Sequence, residues 1–162
     1  MFAIWERRYE CEVNAPIEEV WEFFSDVSSL PLLTPPSISI EFEDDPPKIK
    51  TGALIRMLVT RMGVSIRWHA RISEVEAPYR FVDIADRSPF PFWEHRHEFV
   101  PLEDDRTLIV DTIRFRPIGG VLAPLTGPII GKDLDRMFAY RSATVQERLS
   151  RQPSFDSTLA SS

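Results

Sequence analysis

Apolar and polar residues alternate along most of this chain, and two stretches replace the alternation with a helical period. From Ala3 to Val13, Trp5, Tyr9, Cys11 and Val13 fall on one side and Glu6, Arg8, Glu10 and Glu12 on the other. That is the pattern of a strand with one face turned inward. Arg7 shares the apolar side, near its open end. Pro16 then suits a first helical position, where its missing N–H would have no partner. Glu18 and Glu19 sit where the helix dipole favours acid. Ile17, Val20, Trp21 and Phe24 recur at helical spacing, which predicts a short amphipathic helix ending near Asp26. Leu30 to Pro36 is apolar but proline-rich, and reads as a loop or a single turn whose leucines border a cavity.

The alternation resumes at Ser37 to Glu43, and again in Ala53 to Arg61 and Val64 to Val75. A two-residue turn at Met62-Gly63 would pair Val59 with Ile66, Met57 with Trp68, Ile55 with Ala70 and Ala53 with Ile72. This register gathers the apolar residues on one face and leaves Arg56, Arg67, His69 and Arg71 outside. Tyr79 to Arg87 predicts another strand, with Phe81 and Asp83 sharing a parity.

Ser88 to Phe99 is the most informative segment. With a period of two, one face carries Trp93, His95, His97 and Phe99, and the other Glu94, Arg96 and Glu98. The charged face must meet water, so two of the three histidines turn inward on an aromatic wall. In the last strand, Thr107 to Arg116, the inward candidates are Ile109, Asp111, Ile113 and Phe115. A three-residue loop at Glu103-Asp104-Asp105 would set His97 opposite Asp111 and His95 opposite Ile113. From about Thr126 to Leu149 the period is helical. Ile130, Leu134, Met137, Phe138, Val145 and Leu149 form one stripe, with Asp135, Ser142 and Gln146 opposite.

Composition narrows the function classes. The 162 residues fit one domain, read as 1–149, followed by a polar tail over 150–162 expected to be disordered. A net charge of −6 argues against a nucleic-acid partner, which needs a basic surface. The single cysteine, Cys11, cannot form an internal disulfide and fits a cytoplasmic location. The N-terminus has no signal-peptide pattern, and no apolar run reaches the ~18 residues of a membrane span. Oligomeric state is not readable from these features.

The order of strand, short helix, antiparallel strands and one long C-terminal helix is an α+β plan. The segments Asn14-Ala15-Pro16-Ile17-Glu18-Glu19-Val20-Trp21-Glu22-Phe23, Arg80-Phe81-Val82-Asp83, Pro89-Phe90 through Phe99, and Met137-Phe138-Ala139-Tyr140-Arg141 carry a family resemblance. From about residue 5 to 149 the chain resembles the START-like helix-grip superfamily, also called SRPBCC or polyketide-cyclase-like proteins. It is most similar to a bacterial branch of ligand-binding members. That branch often has glycine before its Pro-Phe, where this chain has Ser88. The resemblance implies a curved sheet gripping the long helix, with a deep cavity between them for apolar or aromatic molecules.

Met57, Trp68, Phe81, Trp93, Phe115, Met137 and Phe138 are expected to line one pocket of several hundred Å³, the usual size of small-molecule sites. Phe99 and Ile113 complete the apolar set. Asp83, His95, His97, Asp111 and Arg141 are its polar members. Arg141 lies between Phe138 and Val145 on the buried stripe, so it needs a carboxylate, Asp83 or Asp111. The cluster reads in three ways: a structural pair fixing the helix, a polar anchor for a ligand, or an acid/base site, for which histidine has a suitable pKa. His95 and His97 share a strand face and could ligate a metal with Asp111, but no Cys/His cluster supports this, and no metal or cofactor is expected. Three functions follow: binding of a small hydrophobic or aromatic molecule or lipid, a cofactor-independent cyclase or dehydrase, or an interaction module with an incidental cavity.

Overall fold

The computed structural model describes residues 3–150. The strands are β1 (Trp5–Val13), β2 (Ile38–Phe42), β3 (Leu54–Arg61), β4 (Val64–Glu76), β5 (Arg80–Arg87), β6 (Phe92–Pro101) and β7 (Thr107–Arg116). The helices are α1 (Ile17–Ser25) and α2 (Ala123–Leu149). All strand pairs are antiparallel, in one curved sheet of order β1-β7-β6-β5-β4-β3-β2. β2 to β7 form a meander, and β1 closes it by pairing with β7. This is the expected α+β helix-grip architecture, with α2 packed across the sheet.

The hairpins hold the registers that the alternation implies. Val59 lies opposite Ile66, Met57 opposite Trp68 and Ile55 opposite Ala70. Met62 and Gly63 both take positive φ, 52° and 75°, in a two-residue turn whose twist matches the strands. The Leu102 N–H donates to the Arg106 carbonyl at 2.8 Å, closing a three-residue loop that sets His97 opposite Asp111 and His95 opposite Ile113. In β4 the register with β5 shifts between Ile72 and Glu74, so that Ile72 lies opposite Asp83 and Val75 opposite Phe81.

Three details differ from expectation. Pro16 is the cap before α1 rather than its first residue: its ψ of 155° is extended, while its carbonyl accepts the N–H groups of Glu19 and Val20. The proline-rich segment forms a 3-10 helix, Val27–Leu33, closed by the Thr34 N–H donating to the Pro31 carbonyl. Asp135 and Gln146, though exposed, bond β1 through their side chains, and Ser142 does so through its backbone carbonyl. The Tyr9 hydroxyl donates to Asp135 Oδ1, Cys11 Sγ donates to the Ser142 carbonyl, and Gln146 Nε2 donates to the Glu12 carbonyl. Gly127 lets α2 approach β1 this closely, since a Cβ there would stand 2.6 Å from the Trp5 ring. The tail beyond Ser150 lies outside the described residues. Among those described, no helix is long and apolar enough to cross a membrane.

Candidate functional site

A cavity of about 330 Å³ lies between the sheet, the 3-10 helix and α2. Its walls are mostly apolar. Met57, Trp68, Phe81, Trp93 and Ile113 enter from the sheet, and Met137 and Phe138 from α2. Trp68 and Trp93 meet edge to face, with ring centroids 5.2 Å apart. Asp83, His95, His97 and Arg141 form a polar group in the same cavity.

Three expected site residues do not reach the cavity wall. Phe99 faces inward, but α1 covers it: its ring lies 5.1 Å from Phe24 and 6.0 Å from Trp21. Phe115 is fully buried beneath Trp93, Trp5 and Phe90. Asp111 lies behind the two histidines, whose rings stand between it and the lumen. In each case strand parity sets the face correctly, and a second layer of side chains fills the space.

Register builds the polar group. Asp83 on β5 lies opposite His95 on β6, and Asp111 on β7 lies opposite His97. Two residues apart on one strand, the imidazoles sit with centroids 3.7 Å apart, and His97 stacks on Phe81 at 4.1 Å. The His95 Nε2–H donates to Asp111 Oδ1 at 2.7 Å, and the His97 Nε2–H donates to Asp83 Oδ2 at 3.0 Å. His97 Nδ1 is 3.2 Å from Asp111 Oδ1 but off the hydrogen-bond direction. His95 Nδ1 is 3.9 Å from Asp83 Oδ2 and takes no hydrogen bond among the described residues.

Burial decides much of the electrostatics. It lowers the His95 pKa to about 4, helped by the neighbouring His97 and opposed by Asp111 and Asp83, so this ring is neutral at pH 7. Burial also lowers that of His97, but the close carboxylates of Asp111 and Asp83 outweigh it, and the net shift is upward. For Asp111 burial favours the acid, yet the histidine contacts prevail and hold the carboxyl below its usual range.

Arg141 is buried as expected, and burial lowers its pKa against the pull of Asp111 and Asp83. Its carboxylate partner is Asp111, met as an ion pair without a hydrogen bond. Nη1 is 4.0 Å from Asp111 Oδ1, beyond hydrogen-bond reach, and Nε has no partner. The guanidinium instead lies over the Phe138 ring, 4.8 Å from its centroid.

Sequence reasoning passes over one pair on the cavity wall. Arg61, at the end of β3, donates to Asp133 of α2 at 3.0 and 3.3 Å, tying hairpin to helix. Asp133 is one turn before Met137, a spacing that places it on the cavity side. His69 lies on the outer sheet face, 3.5 Å from Glu43, and is not part of the site.

Comparisons with known proteins agree with this architecture. Zhui aromatase/cyclase from Streptomyces sp. R1128 superposes with a TM-score of 0.70 at 18% identity, over 90% of this chain and 93% of that one. A START superfamily protein from Mycobacterium smegmatis gives 0.67 at 18%, over 89% and 96%. Norcoclaurine synthase from Thalictrum flavum, in complex with dopamine and hydroxybenzaldehyde, gives 0.65 at 17%, over 93% and 91%. These likenesses show the fold alone. A search of curated proteins found no match. The family model described as polyketide cyclase / dehydrase and lipid transport matches residues 13–139, most of the chain, and the protein belongs to that family.

Proposed function

We propose that the protein binds a small, mainly apolar or aromatic molecule that carries an oxygen acceptor at one end. The observation that supports this most is Arg141. A buried guanidinium offers five donors, and this one makes no hydrogen bond within the described residues while lining a mostly apolar cavity. Leaving such donors unmet is costly, and a ligand carbonyl, hydroxyl or carboxylate in the cavity would meet them. The apolar remainder of the ligand would lie against Trp68, Trp93 and Met137. The reading includes a cytoplasmic location, in keeping with the unpaired Cys11.

The test uses the intrinsic fluorescence of Trp68 and Trp93. A naphthalene sulfonate dye should quench it saturably in the wild type. Ala70→Leu, which fills the cavity from the sheet, should abolish the quenching. Unsaturable quenching, or none, overturns the reading. Native mass spectrometry of protein from its own host would then identify the bound molecule.

A second reading is an enzyme of the cyclase or dehydrase type. The observation in its favour is that His97 reaches the lumen with Asp83 3.0 Å from its Nε2, a pair suited to moving a proton on a bound molecule. Conversion of the ligand found by mass spectrometry, lost in His97→Gln with binding retained, is the outcome this reading requires.

A further inference from the structure

We propose that Asp83, His95 and His97 form a binding site for one divalent first-row transition-metal ion at the polar end of the cavity. One ligand atom from each of the three lies within 4.8 Å of the others, and all three residues line the lumen. This departs from the expectation that the chain holds no metal.

The tautomer of His95 supports the site. Its Nε2–H is committed to Asp111 at 2.7 Å, so its lone pair is on Nδ1. That nitrogen lies 3.9 Å from Asp83 Oδ2, with no hydrogen bond between the two. Two acceptors facing each other across such a gap suit a cation between them. His97 Nε2 is already 3.0 Å from the same oxygen. Metal bonds of about 2.0–2.2 Å place donor atoms roughly 3.0–3.5 Å apart. One edge of the donor triangle therefore fits as it stands, the His95–Asp83 edge needs to close by about half an ångström, and the two imidazole donors, within 4.8 Å of each other, need to close by up to about 1.5 Å.

The surroundings are those of a supported metal site. Ligating imidazoles commonly donate their second N–H to a carboxylate, which fixes the ring and raises its basicity. Asp111 does this for His95. It also lies 3.2 Å from His97 Nδ1, where that ring would keep its hydrogen once the ion replaced the proton on Nε2. With both imidazoles neutral, two carboxylates face one guanidinium, a net negative charge that a divalent ion would offset. Two imidazoles and a carboxylate suit zinc, iron or cobalt, and not calcium or magnesium, which need mostly oxygen. Three protein donors on one side leave coordination positions open towards the lumen. The site stands whether or not an organic molecule occupies the apolar part of the cavity.

The experiment is calorimetric titration of the tag-free full chain, freed of metal by chelation, with Zn²⁺, Co²⁺, Mg²⁺ and Ca²⁺. One Zn²⁺ or Co²⁺ per chain is expected, with no heat from Mg²⁺ or Ca²⁺ and visible absorption from bound Co²⁺. Asp83→Asn and His97→Ala should each weaken Zn²⁺ binding at least tenfold, and Asp111→Asn about 10–100-fold. His69→Ala should leave it unchanged. Nitrogen-15 NMR of the wild-type rings needs no variant to fold: Zn²⁺ should move His95 Nδ1 and His97 Nε2 and leave His69 in place. Absence of stoichiometric Zn²⁺ and Co²⁺ binding, binding unaltered by Asp83→Asn, or a ring shift confined to His69 would each overturn the proposal.

Discussion

Arg141 Nη1 stops 4.0 Å from Asp111 Oδ1, an oxygen that already accepts the His95 Nε2–H at 2.7 Å. The carboxylate is therefore satisfied by histidine, and the guanidinium is the group left short. Breaking a hydrogen-bonded buried pair costs about 3–5 kcal/mol, but this pair is not hydrogen-bonded. Arg141→Met should leave ligand-free stability within about 1 kcal/mol of wild type, because relief of an unmet buried charge offsets the lost attraction. Asp111→Ala should cost about 3–5 kcal/mol, since it strands His95 and Arg141 together. Urea unfolding of both variants decides the matter, and the reverse order would contradict this account.

The two histidines should shape stability against pH in opposite senses. In metal-free buffer the folded His95 pKa of about 4 lies below its unfolded value near 6.5. Between these values the unfolded chain binds the proton and the folded chain does not, so stability falls as the pH drops, by about 3 kcal/mol in all. His97 is raised, so its contribution is complete below pH ~6.5 and is lost as pH rises through its folded value. Stability measured from pH 4 to 8 should peak near neutrality. His95→Gln, which keeps a donor for Asp111, should flatten the acid limb alone.

Gly127 and Gly131 both face β1, yet replacement by alanine should have different effects. Alanine favours a helix over glycine by about 1 kcal/mol. At 127 the new methyl would press on the Trp5 ring, and overpacking of about 1–3 kcal/mol should outweigh that gain. At 131 it would meet the end of the Arg7 side chain, which is partly exposed and can swing aside. Thermal melts should show Gly127→Ala below wild type and Gly131→Ala at or above it.

Tyr9 stacks on Phe138, centroids 4.3 Å apart and planes 2° apart, while its hydroxyl bonds Asp135. Tyr9→Phe removes only the hydrogen bond and should cost about 0.5–1.5 kcal/mol. Phe138→Ala should cost about 3–5 kcal/mol and enlarge the cavity. Unfolding by denaturant gives both costs, and the second variant should accept bulkier dyes.

Much of this site was legible because strand parity is a strict rule. The loop at Glu103-Asp104-Asp105 sets His97 opposite Asp111, and the separate β5–β6 register sets Asp83 opposite His95, which completes the group. Parity does not say what lies above a side chain. Phe99 points inward as read, but α1 covers it, and the docking depth of α1 is a property of three-dimensional packing. Nor does parity give the last ångström: Arg141 approaches Asp111, but histidine geometry determines which donor reaches the oxygen first. The Arg61–Asp133 bridge spans two elements whose relative placement no local pattern encodes.

The pairing of β1 with β7 carries a kinetic consequence. The meander from β2 to β7 is built from neighbouring hairpins and can assemble locally. β1 must find its partner from the other end of the chain; at the start of the seam the Thr107 hydroxyl bonds the Ala15 carbonyl across 92 residues. α2 docks partly on β1, so the cavity cannot be enclosed until that long loop has closed. Such non-local closure is slow, on the order of milliseconds to seconds. Until then Trp68 and Trp93 stand on an uncovered apolar sheet face, so a molecule that fits between sheet and helix can be enclosed as the chain folds, before any entrance has to open.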